Sequence, residues 1–354
     1  MLDGAIGAAL VRHRRHIVRT AVAATLGVLL AVGVVALDVP RLVACAALRA
    51  GCPADGPPRG RLPSLTRLTP TQVALSGTYV ALGDSYSSGE GVYQAGERPL
   101  NGGADRCHRA QGSYAPQIAG AFSFGSGISF WACSGATTTQ LLHGQYGMQP
   151  QIDRVTSTAS LVTLSIGGND AGFTSVLRAC IVKVPWSSAC TDQDAEVGRR
   201  IDQLRSSVRT VLREVRVRAP YARIVVVGYP RPFPAEPTAG VNNLSADDQR
   251  WLNGVSRKLD DVLGTAAKEF DRAIAAFGGP GSVEFIDAYD AFAGHEVGTP
   301  DPYLNGLDVN LDDLTVESRS FHPAAGGYKR YAELVDEQIA TGPGRPLNNF
   351  GPLT

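Results

Sequence analysis

Ser85 stands directly behind an apolar run with the chemistry of a buried strand, Tyr79-Val80-Ala81-Leu82, and Gly83-Asp84 adds turn chemistry between them. In open parallel sheets the carboxyl end of a strand is where ligands bind. A serine there, with Gly89 and Gly91 behind it allowing close approach of another molecule, is a candidate nucleophile; otherwise the same residues make a plain turn from strand to helix. A serine hydroxyl transfers acyl groups only when a base takes its proton and donors meet the oxyanion formed on the carbonyl. The chain holds residues for both tasks. Gly135, in Cys133-Ser134-Gly135-Ala136-Thr137, brings an unobstructed backbone N–H, Ser85 brings its own, and Asn169, in Gly167-Gly168-Asn169-Asp170, brings a side-chain amide. His322, in Ser320-Phe321-His322-Pro323, is the candidate base; His108, His143 and His295 fall in loops without matching neighbours, and His13 and His16 precede an apolar segment.

Other glycine-rich sites are excluded by their neighbours. A phosphate loop needs Lys-Ser/Thr after its last glycine, where Gly89 has Glu90; a dinucleotide fingerprint from Gly89 wants a small residue where Gln94 stands. The nucleophile elbow of α/β-hydrolases needs glycine two residues after the serine, and Ser87 is there instead.

The elements that must position these residues alternate. Apolar runs predict strands over 79–82, 127–132, 160–166, 223–228 and 283–286, and helices over 114–122, 171–179, 191–217, 245–277 (with Ser245 as its cap) and 323–339. Such alternation gives a parallel sheet covered on both faces, with right-handed crossovers, so the turns after the first three strands share one edge. Ser85, Gly135 and Asn169 then converge. Asp84 and Asp170 are assigned to structure, bonding backbone amides. Asp308, Asn310 and Asp312 imitate the start of a calcium loop, but Asp313 replaces its glycine and Arg319 its closing glutamate, so they are read as solvated loop.

The 354 residues are 44% hydrophobic and 19% charged, enough for one large folded domain, and 33 basic residues balance 33 acidic ones. That neutrality disfavours nucleic acid as a partner. The amino terminus departs from it: a basic segment, 1–19, precedes the apolar 20–39, whose uncharged core is followed by Asp38, Pro40 and Arg41. The core reaches about 27 Å as a helix against ~30 Å of hydrocarbon, between a transmembrane anchor and a long signal-peptide core. Positive charge on its amino side puts everything after it outside the cytoplasm. The expectation is a membrane-anchored extracytoplasmic enzyme, with secretion after signal cleavage as the alternative. Residues 40–76 read as a Pro-rich linker, 77–341 as the catalytic domain and 342–354 as a tail. Export makes six cysteines a disulfide set, paired in chain order as Cys45–Cys52, Cys107–Cys133 and Cys180–Cys190, although six cysteines allow fifteen pairings.

At this point the strings GDSYSSGEG, CSGAT, SIGGND, GYPRPF and SFHP resemble, in order and spacing over residues 79–339, the blocks of the SGNH (GDSL-type) hydrolases, in particular the secreted lipase and esterase branch from actinomycetes. The resemblance implies a three-layer α/β/α flavodoxin-like fold with a central parallel sheet of about five strands. It also implies hydrolysis of carboxylic esters, of lipids or acylated envelope components, without metal or cofactor. It carries Ser85 over as nucleophile, His322 as general base, and Ser85, Gly135 and Asn169 as oxyanion donors. Many members have an aspartate three residues before the histidine; here that residue is Arg319, which cannot accept a proton. The imidazole is therefore expected to be held by the backbone carbonyl of Arg319 or Ser320, with Glu317 as the runner-up. Acyl transfer to an envelope glycan or lipid uses the same site and stays open beside hydrolysis. A non-catalytic envelope-binding module is the third reading, and the intact serine, asparagine and histidine oppose it.

Overall fold

The computed structural model of the protein describes residues 65–97, 105–184, 186–237, 241–310 and 315–352. The segment 20–39, expected as a membrane helix, and the expected Cys45–Cys52 bridge lie outside the described residues. Among the described residues no helix is long and apolar enough to cross a membrane.

The expected strands all form: β2 (Thr78–Gly83), β3 (Ile128–Phe130), β4 (Ala159–Ser165), β5 (Arg223–Val227) and β6 (Ser282–Ile286), preceded by a short β1 (Leu65–Arg67). The sheet is parallel throughout, in the order β3-β2-β4-β5-β6. After β2 the chain places β3 on one side and β4 on the other, so the crossovers diverge at the carboxyl end of β2, immediately before Ser85. Such a switch point opens a crevice where a ligand fits. Every residue of β4 and β5 is buried, as both faces of a parallel sheet must be when helices cover them.

Among the described residues, eight helices flank the strands: α1 (Pro70–Leu75), α2 (Ser85–Ser88), α3 (Tyr114–Ala121), α4 (Thr138–His143), α5 (Phe173–Ile181), α6 (Asp194–Arg218), α7 (Ala246–Ala276) and α8 (Ala325–Thr341). α8 packs on α1 and α3, while α6 packs on α4 and α7, giving the three-layer arrangement. Ser245 caps α7 as expected, in a reciprocal pair with Asp248.

Both ends of the compact unit fall outside the expected bounds. It spans Leu65–Gly351, where the sequence placed a linker up to residue 76 and a tail from 342. Pro70–Leu75 is helical because Thr69 and Gln72 form a capping box and Pro70 occupies the first turn. β9 (Phe350–Pro352) pairs with β1, and Asn349 donates to the Tyr221 carbonyl at 3.0 Å while accepting from the Gly281 N–H at 2.7 Å. A two-stranded ladder, β7 (Val309–Asn310) with β8 (Thr315–Val316), occupies part of the acidic loop.

At the amino ends of the strands, opposite Ser85, Arg223 is fully buried. Its fork binds Glu284 through Nε at 2.8 Å and Nη2 at 2.7 Å, and it donates to the carbonyls of Pro70 at 2.9 Å, Ile339 at 2.7 Å and Gln338 at 2.6 Å. One guanidinium thus ties β5, β6, α1 and α8. Arg223→Met leaves Glu284 buried without its partner and should lower unfolding free energy by about 3–5 kcal/mol in a denaturant titration. A loss under about 1 kcal/mol, the scale of an exposed pair, would refute that account.

Candidate active site

Asp84 caps α2. Its Oδ1 accepts from the Tyr86 N–H at 3.0 Å and its Oδ2 from the Tyr229 hydroxyl at 2.5 Å. Burial pushes the Asp84 carboxyl up to about 7, against the pull of these hydrogen bonds. The Tyr229 hydroxyl also accepts from the Gly168 N–H at 3.2 Å, so the loops after β2, β4 and β5 meet on one oxygen. Ser85 opens the helix, where an N–H has no intrahelical acceptor, and no described group accepts from it.

The structure brings Ser85 and His322 together. His322 Nε2 lies 2.8 Å from Ser85 Oγ, and Nδ1 lies 3.1 Å from the Ser320 carbonyl oxygen. A carbonyl only accepts, so the ring proton sits on Nδ1 and Nε2 is left to accept from the serine hydroxyl. Of the two carbonyls expected to hold the imidazole, that of Ser320 contacts it; that of Arg319 accepts the His322 N–H at 3.1 Å in the same turn. The Arg319 side chain turns away to pair with Asp308. Glu317 is not brought to the imidazole, and its N–H donates to the Asp308 carbonyl at 2.8 Å.

Between Ser320 and His322, Phe321 has φ +59°, a costly region for a bulky side chain. Its surroundings over-determine it. Its ring is buried against Phe233, its N–H donates to the Asn305 carbonyl at 3.1 Å, and its carbonyl accepts from the Tyr86 hydroxyl at 2.7 Å. Tyr86 also leans on the imidazole, with ring centres 5.3 Å apart, and the Tyr328 hydroxyl donates to the Ser85 carbonyl at 3.2 Å.

Asn169 reaches the turn that carries Gly135. Asn169 Nδ2 donates to the Ala136 carbonyl at 3.0 Å, which uses one of the two amide hydrogens and leaves the other. Asp170 accepts from the Thr138 N–H at 3.0 Å and its hydroxyl at 2.5 Å, locking the two loops together. Gly135 sits at φ +75°, left-handed backbone that favours glycine, and no described group accepts from its N–H. The Cys107–Cys133 bridge braces this turn, and Cys180–Cys190 closes the loop after α5. Gly91 does not face an open crevice: a Cβ there would lie 2.1 Å from the Pro323 carbonyl oxygen, so its close approach is to the histidine segment. Phe233 is core, and Tyr229 serves the Asp84 network.

Glu90 was not singled out by the sequence. It follows α2 in a single 3₁₀ turn, its side chain is only 1% exposed, and both carboxylate oxygens lie on His108 Nδ1, at 2.8 and 2.9 Å. Tyr93 stacks on that imidazole. Burial raises the Glu90 carboxyl, but the hydroxyls of Ser134 and Ser318, the His108 ring and the charge of His322 outweigh it and hold the group below its usual range. The effect on His322 is reciprocal. Burial drives its imidazole below the ordinary value, and Glu90, with the carbonyls of Ser320 and Ser318, pulls it partly back. A glutamate between two glycines carries no sequence signal of this role, because the partners come from residues 108, 134 and 318.

A family model described as the GDSL-like lipase/acylhydrolase family matches residues 81–330. The chain is 33% identical over 225 residues to a lipase of Streptomyces rimosus, covering 63% of this chain and 74% of that one. It is 34% identical over 204 residues to lipase 1 of Streptomyces coelicolor, covering 57% and 66%. Among solved structures, an extracellular lipase from Streptomyces rimosus matches with a TM-score of 0.60 and 31% identity, over 74% of this chain and 99% of that one. Phospholipase A1 from Streptomyces albidoflavus matches with a TM-score of 0.60 and 32% identity over the same shares.

Activity that needs neutral His322 should rise with pH through a midpoint below the ordinary imidazole value of about 6.5, since burial disfavours the cation. Glu90→Gln removes the negative charge that favours the imidazolium, so the acid limb of kcat/KM should move to still lower pH. An unmoved limb, or one displaced upward, would show that Glu90 does not act on the imidazole.

Proposed function

The chain belongs to the GDSL-like lipase/acylhydrolase family and is a carboxylic ester hydrolase, and from that premise we propose that it cleaves esters through an acyl-enzyme on Ser85 with His322 as general base. The observation that carries the proposal is the pair of contacts on the imidazole, 2.8 Å to Ser85 Oγ and 3.1 Å to the Ser320 carbonyl. As the Ser85 oxygen attacks the ester carbonyl, Nε2 takes its proton and the imidazolium keeps its Nδ1 proton on the Ser320 oxygen. The tetrahedral oxyanion is met by the N–H groups of Ser85 and Gly135 and the free amide hydrogen of Asn169, at a site where such donors need no reorganisation. Nε2 then protonates the leaving alcohol. Water, deprotonated by the same nitrogen, cleaves the acyl-enzyme and restores the serine hydroxyl.

Apolar acyl chains are the substrate class in this reading, supported by the lipase and phospholipase relatives. The basic and apolar amino-terminal segments, 1–19 and 20–39, support action outside the cytoplasm, with the segment 20–39 as anchor or export signal.

A fluorophosphonate probe should label the wild type and not Ser85→Ala; labelling that survives this substitution refutes Ser85 as nucleophile. Asn169→Ala should lower kcat for a nitrophenyl ester roughly 10²–10³-fold. Glu317→Gln should leave kcat within a few fold; a loss of about 10⁴, as when a triad acid loses its charge, would overturn the role given to the Ser320 carbonyl.

A further inference from the structure

Beside the turn that carries Gly135 lies a cavity of about 270 Å³, lined by Arg109, Trp131, Gln140, Gln145, Gln149 and Arg154 among others. None of the described residues lining it is an aspartate or glutamate. Arg109 is 4% exposed. Its one hydrogen bond among the described residues, Nη1 to the Ala132 carbonyl at 3.5 Å, is at the limit of such a contact, and its Nε is buried with no partner. Arg154 lies across the same ring that Arg109 approaches: the guanidinium carbons are 3.7 Å and 5.5 Å from the Trp131 centre. Arg154 donates through Nη2 to Gln149 at 2.9 Å, and its Nε is also buried and unpartnered. Neither guanidinium joins an ion pair among the described residues. Burial, and then the neighbouring charge of Arg154, hold the Arg109 guanidinium below its usual range.

Two cations converging on one ring, one of them buried, with no counter-charge among the described residues, is an expensive arrangement for a fold to keep. Cation–π attraction to Trp131 offsets only part of that cost. An oxyanion in the cavity would reverse it, because guanidinium forks match the oxygens of phosphate and carboxylate. The cavity also has a direct link to the candidate site: Gln145 Nε2 donates to the Ser134 carbonyl at 2.9 Å, and the same amide nitrogen is the nearest side-chain atom to a Cβ placed on Gly135, at 3.5 Å.

We infer that this cavity binds a single oxyanion group, phosphate or carboxylate, between Arg109 and Arg154, supplied either by an ester substrate or by solution. Only the substrate arm rests on the ester-hydrolase reading. Thermal unfolding in inorganic phosphate, against chloride at equal ionic strength, tests the site without catalysis. The wild-type Tm should rise and saturate with phosphate, Arg154→Gln should lose the rise, and Arg154→Lys should keep part of it. Kinetics on dihexanoylglycerol and its 3-phosphate, both below micellar concentration, tests the source. If the substrate supplies the group, the kcat/KM ratio of phosphorylated to neutral ester should fall roughly tenfold in Arg154→Gln. A phosphate-dependent Tm with an unchanged ratio supports the site with a free anion as its ligand. If phosphate raises the Tm but the wild type cleaves neither ester, the hydrolase reading fails while the anion site stands. A wild-type Tm indifferent to phosphate, together with an unchanged ratio in Arg154→Gln, overturns the inference.

Discussion

A neutral imidazole has one N–H, and where that hydrogen sits decides whether the ring can take a proton from Ser85. In this fold the decision is made by a backbone oxygen. The Ser320 carbonyl, 3.1 Å from Nδ1, can only accept, and so leaves Nε2 bare towards the serine. A carboxylate in the same place would also stabilise the imidazolium by its charge. Here that charge comes from Glu90, which reaches the ring through space while its oxygens are occupied by His108. Orientation and electrostatic support, often combined in one acid, are divided between a carbonyl two residues before the histidine and a glutamate 232 positions earlier in the chain.

A backbone carbonyl is only as well placed as the chain that carries it. That requirement explains the strained Phe321, whose φ of +59° turns His322 back over Ser320. Strain of this kind costs about 1–3 kcal/mol and persists only when neighbours enforce it. They do so from several elements. Asn305 bonds the backbone of both Phe321 and His322, its amide also reaches the Gly91 carbonyl, and Tyr86 reaches the Phe321 carbonyl from the helix that Ser85 begins. The nucleophile's helix and the base's loop are thereby joined independently of the contact between their reactive atoms.

The two ends of the sheet are built differently. The amino ends are held by Arg223 and Glu284, fully buried and mutually satisfied, with the remaining donors on carbonyls of α1 and α8. The carboxyl ends are held by Asp84, Tyr229, Asn169 and Asp170, whose bonds run between loops. Burial shifts ionisable groups near that edge towards their neutral forms: Asp84 is pushed up to about 7 and His322 falls below its ordinary value, because the hydrogen bonds and charges around each compensate only in part. The guanidiniums of Arg109 and Arg154 carry the same logic further, with no ion-pair partner among the described residues.

Sequence alone determined the alternation of strands and helices, and with it a parallel sheet whose loops share an edge, because hydrophobic period and turn chemistry are local properties. It also identified Ser85, Gly135, Asn169 and His322 as candidates, all of which lie in short, distinctive strings, and its chain-order pairing of the cysteines agrees with the bridges Cys107–Cys133 and Cys180–Cys190. It missed the helix from Pro70, although Thr69 and Gln72 carried a legible capping signal, and it missed the pairing of β1 with β9, which joins segments far apart in the chain. Only the tertiary structure decided that the crossovers diverge at β2, that Ser320 rather than Glu317 holds the imidazole, and that Glu90 stands behind it. Arg223, first residue of an apolar strand, reads locally as a solvent-facing end; its burial depends on Glu284 and on carbonyls more than a hundred residues away in either direction. The division follows from the physics. Local propensity is written in neighbouring residues, whereas the charge and hydrogen-bond partners that set a buried group's state are chosen by folding.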